Sequence, residues 1–172
     1  MRPTRPLIFV LCLGVFLSLA ATLTAAQSPL CTGDDPGSVL RCYADAYAKR
    51  DSVSFAALLA PDYVSTDLSY PDMADVDYRT SLEFTTRMFR APNIHHLELE
   101  FGEPARVEPG PVTGSWVLRD VSCTLRIQGV SDAGRPGPWA VTKVVSLWVR
   151  AVAEPAPHFL VIREELRDPE KK

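Results

Sequence analysis

A chain of 172 residues with 47% hydrophobic and 23% charged content has room for one domain with its own core. Those fractions exclude an intrinsically disordered protein and a multi-span membrane protein. The formal net charge is −3 and no run of Lys or Arg is present, so the chain shows no surface for nucleic acid or an anionic membrane.

Residues 1–26 read differently from the rest. Arg2 and Arg5 give a positive start, residues 7–21 are almost wholly apolar, and Thr24-Ala25-Ala26 supplies small residues ahead of Gln27. That is the pattern of a secretory signal peptide. The alternative is an uncleaved membrane anchor, for which the run is short. Pro29 and Leu30 ahead of Cys31 do not suit a lipoprotein. Without the leader, residues 27–172 hold 16 Lys and Arg against 21 Asp and Glu, a net charge of −5. The expected location is secreted or periplasmic, free of the membrane after cleavage. Disulfides persist there. Cys31–Cys42 is the natural pair, with two separate thiols as the other outcome. Cys123 shares a strand face with Val121 and Leu125 and reads as a buried structural thiol.

Asp34-Asp35-Pro36-Gly37-Ser38 is a helix start, with an Asp cap before Pro at the first helical position. Val39, Tyr43, Ala46 and Tyr47 then fall on one helical face, and Lys49-Arg50 suits the negative end. Asp51 and Ser52 cap a second helix over 53–59, which Pro61 ends, and residues 62–66 read as a short strand. A loop over 68–74 leads to a third helix, capped by Asp75 and reaching about Arg90. From His95 the period becomes two: His95, Leu97, Leu99 and Phe101 on one face, His96, Glu98 and Glu100 on the other. Residues 113–128 form a long strand whose alternation slips near Arg119-Asp120, the sign of a bulge. Residues 139–151 are apolar on both faces and predict a central strand. Residues 159–166 are the last strand, and 168–172 a solvated tail.

Helices first and long strands afterwards make an α+β fold. Tyr43-Ala44-Asp45-Ala46-Tyr47-Ala48-Lys49-Arg50-Asp51 is followed by Phe55 and by Leu58-Leu59-Ala60-Pro61-Asp62-Tyr63-Val64. A helix ending near Asp and a passage of paired leucines, Asp, an aromatic and Val into the first strand resemble the nuclear transport factor 2-like superfamily, over residues 38–166. The resemblance implies three N-terminal helices packed on a strongly curved, mixed and mainly antiparallel sheet, a cystatin-like cone. Residues 27–172 would then be a single domain.

Within that superfamily, the surroundings of Tyr43 and Asp67 are similar to ketosteroid isomerase. The likeness implies that Tyr43 donates to a developing oxyanion while Asp67 moves the proton, roles that suit a phenol and a carboxylate in an apolar cavity. The family's second donor, a protonated Asp, would lie on the strand over 139–151, where this chain offers only Ser146 or its neighbours. His95, in register with Leu97, would add an acid or base facing the cavity. Its pairing with Asp67 would resemble the polyketide cyclase and dehydratase branch. Tyr47, Tyr63, Trp116 and Trp148 would line an open cone, or fill a closed one. Glu164 shares parity with Leu160, Ile162 and Leu166, but Arg163 and Glu165 beside it suggest a solvated strand end. His96 faces away and His158 reads as a loop residue, so no metal site and no cofactor are expected. The functional expectation is an exported domain binding an apolar small molecule, with isomerase or lyase chemistry through Asp67. The alternative is a non-catalytic scaffold that forms a homodimer through its sheet.

Overall fold

The structure is a computed structural model and describes residues 35–131, 134–153 and 158–169; the expected leader, residues 1–26, and Cys31 lie outside the described residues. Helix α1 (Ser38–Lys49) starts later than Asp35-Pro36 suggests. Asp35 does form the turn, accepting the Gly37 N–H on its side chain (3.1 Å) and the Ser38 N–H on its carbonyl (2.9 Å), but Gly37 is the residue that opens the helix. Arg50 closes it in the left-handed region (φ 53°). Asp51 then caps α2 (Ser52–Leu58) as expected, accepting from the Val53 and Ser54 N–H groups. No loop follows. The chain turns at Leu59 directly into β1 (Leu59–Asp67), with Pro61 inside the strand rather than ending the helix. Proline has no N–H for a ladder, and the pairing of this strand shifts register between Leu59 and Val64.

A two-residue strand, β2 (Val76–Asp77), pairs with β1 and delays α3 (Tyr78–Arg90). Asp77 rather than Asp75 is therefore the cap, accepting the Thr80 N–H at 2.8 Å, while Asp75 accepts the Thr66 hydroxyl at 2.8 Å. The remaining strands are β3 (Ile94–Phe101), β4 (Arg106–Pro109), β5 (Ser115–Gly129), β6 (Trp139–Val152) and β7 (His158–Arg167). Their order is β2-β1-β7-β6-β5-β3, with β4 also on β5. Among the described residues only β1 and β7 run parallel. The fold is thus α+β, three helices on a mixed, mostly antiparallel sheet, with β1 and β2 between the second and third helices.

Three irregularities set which side chains face the helices. In β5 the register slips between Leu118 and Val121, and Asp120 takes a positive φ of 55°. That bulge divides the strand: its first half pairs with β4 and its second with β3. In β7 the register slips opposite Trp148 and Val149, leaving Ile162 as the extra residue. The inner face therefore runs Phe159, Val161, then Glu164 and Leu166. In β3 the slip falls between Ile94 and His96. The core joins Val39, Tyr43, Ala46, Phe55, Leu58 and Phe89 of the helices to Leu97, Leu118, Val121, Leu147, Val149 and Val161 of the sheet. Burying each large side chain contributes about 1.5–3 kcal/mol.

Candidate functional site

Tyr43 faces the sheet from the middle of α1, because Val39, Tyr43 and Ala46 share its buried side. Its hydroxyl donates to Glu164 Oε1 at 2.6 Å. Ser65 of β1 sits directly beside Glu164 in the parallel ladder, and its hydroxyl and that of Tyr63 lie near enough to the same carboxyl to favour its charged form. Ser81 on α3 lies near the Tyr63 hydroxyl. One carboxyl thus has three hydroxyl groups around it, with Tyr43 donating the 2.6 Å bond.

This cluster lies in the wall of a partly open cavity of about 300 Å³ between the helices and the sheet. Tyr47, Phe55, Leu99, Phe101, Leu125 and Val145 supply its apolar surface, with Cys123 among them. Toward the outside it is bounded by Val76, Val141, Lys143 and Leu166, and Val141 is exposed. Tyr43 and Tyr47 stack at 6.1 Å, and Phe55 and Phe101 meet Tyr43 edge-on at 5.3 and 5.9 Å. These contacts hold the phenol in one orientation.

Electrostatics follow from burial. Burial pushes the Glu164 carboxyl above its ordinary range, and the bonds from Tyr43, Tyr63 and Ser65 only partly oppose it. Burial, then the neighbouring Glu164, pushes Tyr43 and Tyr63 upward as well. Tyr47 rises to about 12 by burial, against a hydrogen bond with Thr85. The Cys123 thiol rises to about 12, chiefly by burial and then by Glu164. The pocket therefore favours neutral groups, and its phenols serve as donors.

Asp67 occupies a different place. It is not part of the cavity lining, and its side chain pairs with Lys143 Nζ at 3.0 Å while accepting the Ser69 N–H at 2.9 Å. Its partial burial opposes ionisation, but the bonds from Lys143 and Ser69 outweigh that and hold the carboxyl below its ordinary value. A carboxylate fixed in that way is a weak base. The expected Tyr43–Asp67 pairing is replaced by Tyr43–Glu164. His95 is exposed, because it is the extra residue of the β3 bulge and leaves the face of Leu97 and Leu99. Trp116 packs edge-on against Phe159 and does not line the cavity. Ser146 and Trp148 alternate with buried Val145, Leu147 and Val149, so they lie on the other face of β6. There the Trp148 ring carries the Arg119 and Arg163 guanidinium groups at 4.9 and 5.4 Å. Of the residues singled out in the sequence, Tyr43, Tyr47 and Tyr63 come together in the cavity.

Glu164 was the residue to find. Its register with Leu166 pointed inward, while the charges of Arg163 and Glu165 suggested solvent. Those two neighbours face away from the cavity and pair with each other at 2.8 Å. Ser65, Ser81 and Lys143 gave no comparable signal in the sequence. Cys42 is disulfide-bonded, and Cys123 is the free cysteine among the described residues. Among the described residues no group of three or more His, Cys, Asp or Glu could hold a metal ion.

No protein-family model matches this sequence, and no curated protein matches it. Solved structures do resemble its fold. A nuclear transport factor 2-like protein of unknown function in nutrient uptake from Rhodospirillum rubrum superposes with a TM-score of 0.57 at 20% identity, covering 80% of this chain and 100% of that one. A nuclear transport factor 2-like superfamily protein from Salmonella enterica serovar Typhimurium gives 0.57 at 12% identity, covering 78% and 88%. ActVI-ORFA from Streptomyces coelicolor gives 0.56 at 11%, covering 75% and 90%. At these identities the likeness is one of fold.

Proposed function

We propose that this chain, which has the nuclear transport factor 2-like fold, is an exported domain that binds a neutral molecule of one or two rings beside Glu164 and moves a proton through that carboxyl. The observation that carries the reading is the Tyr43–Glu164 hydrogen bond, 2.6 Å long and buried in the wall of a cavity. At interior packing density, about 300 Å³ accommodates a ligand of up to about 220 Å³, ample for a bicyclic ketone and short of a four-ring skeleton. Charge would not be welcome. The one ammonium in the lining, Lys143, is already paired with Asp67 and Asp168, and a ligand carboxylate would meet the acidic Glu164 cluster.

The chemistry such a cluster supports is isomerisation or elimination next to a carbonyl. The Glu164 carboxylate takes a proton from the α-carbon, and the C–H electron pair moves into an enolate. A phenol of Tyr43 or Tyr63 donates to the oxygen that gains charge. Return of the proton at another carbon isomerises the ligand; loss of a β-leaving group makes the reaction a lyase. Burial makes Glu164 a stronger base than a carboxylate in water, whereas the Lys143 pairing makes Asp67 a weaker one.

1-Tetralone in deuterated buffer tests both halves. The expected result is binding that raises Tm and exchange of its α-protons, with exchange lost and binding kept in Glu164→Gln, and both kept in Asp67→Asn. Absence of any Tm shift would remove the ligand assignment. Exchange that survives Glu164→Gln and disappears in Asp67→Asn would return the proton-moving role to Asp67.

A further inference from the structure

The Lys143 side chain is largely buried and holds several groups at once. Its ammonium donates to Asp67 Oδ2 at 3.0 Å and Asp168 Oδ1 at 2.8 Å, comes within 3.4 Å of Ser69 Oγ, and lies 5.0 Å from the centre of the Tyr70 ring. These partners come from separate parts of the chain: the end of β1, the loop after it, and the segment after β7. They are also tied to one another, since the Asp168 N–H donates to Ser69 Oγ at 2.6 Å and the Leu68 N–H to the Leu166 carbonyl at 2.7 Å. Lys143 is at the same time part of the cavity lining, next to Val141 and Val76 on the outward side. The loop it holds presents Tyr70 and Met73, each more than half exposed, and Tyr70 lies against the Lys143 ammonium that lines the cavity. Apolar side chains kept in water beside a cavity-lining residue form a surface suited to lie over whatever fills the cavity.

We infer that Lys143 is a latch, pinning loop 68–74 across the entrance of the cavity, and that ligands enter when its bonds to Asp67 and Asp168 open. The arrangement gives Asp67 a purpose that proton transfer does not. Its carboxylate, together with that of Asp168, balances the ammonium and holds the loop, and the two carboxylates leave no free positive charge at the entrance. Of the two carboxylates Asp168 is the exposed one, and an ion pair with an exposed partner is individually weak. The latch is therefore able to open without unfolding the sheet behind it. The inference rests on the cavity being the ligand site, but its readout below is access to that cavity, which is measured with no ligand at all.

Cys123 provides the readout. Its thiol lines the same cavity, and burial pushes it up to about 12, so it reacts slowly and in proportion to its exposure to reagent. The full mature chain is treated with methyl methanethiosulfonate, and modification is followed on the peptide that contains Cys123, well below the lowest Tm of the set. Lys143→Met, Asp168→Asn and Tyr70→Ala are compared with the native protein. Asp168 and Tyr70 are exposed, so their replacement does not threaten the fold even if Lys143→Met does. Asp45→Asn, which removes an equally short ion pair to Lys49 on the exposed side of α1, is the control. Opening the latch should speed Cys123 modification at least about threefold, the scale set by losing an ion pair of this kind, while Asp45→Asn leaves it unchanged. Native rates in Asp168→Asn and Tyr70→Ala would overturn the latch. Equal acceleration by Asp45→Asn would also overturn it, because Cys123 would then be reached through general loosening.

Discussion

Glu164 shows how one residue's environment decides its chemistry. In water its carboxyl would be ionised at neutral pH; enclosed by two phenols and a serine in an apolar cavity, it resists ionisation. The sign of the stability effect follows. Its folded pKa lies above the unfolded one, so the folded state binds more protons between the two values, and stability falls as pH rises through that window. Glu164→Gln should remove that fall while keeping an acceptor for Tyr43, as measured by urea denaturation across pH. A variant that retains the full fall would place the titration elsewhere. Tyr43→Phe acts in the opposite sense. It takes away the 2.6 Å donor and should cost about 1–3 kcal/mol, the range for a buried hydrogen bond with one partner lost. It should also carry the fall to higher pH, because the carboxylate loses a donor that stabilises it. Unchanged stability in Tyr43→Phe would mean that the hydrogen bond contributes nothing.

At the level of elements, the boundaries that matter were set by short-range hydrogen bonding. Asp75 and Asp77 stand two residues apart ahead of α3, and both are typical cap residues. The pairing of Val76 and Asp77 with β1 extends the strand as far as Asp77, so only Asp77 is placed to accept the Thr80 N–H. Asp77→Ala should therefore cost about 1 kcal/mol in thermal denaturation, the usual worth of a cap, whereas Asp75→Ala should cost only a few tenths. Reversal of that order would restore Asp75 as the cap. The bulges work at the same scale. One extra residue at Ile162 lets Val161 and Glu164 face the same side, and one at His95 turns a histidine out of the row that holds Leu97 and Leu99.

For the whole molecule, the helices pack on one side of the sheet without filling it, and the space left between them is the cavity. Bulges break the long strands: the one at Arg119-Asp120 lets β5 serve β4 with one half and β3 with the other. No helix among the described residues is long and apolar enough to cross a membrane. The proposal of export belongs to this scale, because it concerns the whole chain. Material recovered from the periplasm or the medium should begin at or near Gln27 by intact mass; a full-length product held in the membrane would refute cleavage after Ala26.

Periodicity and punctuation in the sequence marked the three helices and five of the strands in their order; the short strands β2 and β4 were not read from it. The face of Val39, Tyr43, Ala46 and Tyr47, the Asp51 cap and the slip at Arg119-Asp120 are local signals present in the fold, whereas the alternation read from His95 to Phe101 holds only from Leu97 onward. Tyr43, Tyr47 and Tyr63 were legible as pocket residues for the same reason, since each sits on the buried side of a periodic element. The partner of Tyr43 was not legible. Choosing between Asp67 and Glu164 depends on pairing β1 with β7 across roughly a hundred residues, which brings Ser65 beside Glu164 and leaves Asp67 beside Leu166, at the end where Lys143 claims it. Local sequence records which side of a strand a residue takes until a bulge intervenes. Only the tertiary structure decides which carboxylate a cation reaches first, and so which one is left in the cavity to take up a proton.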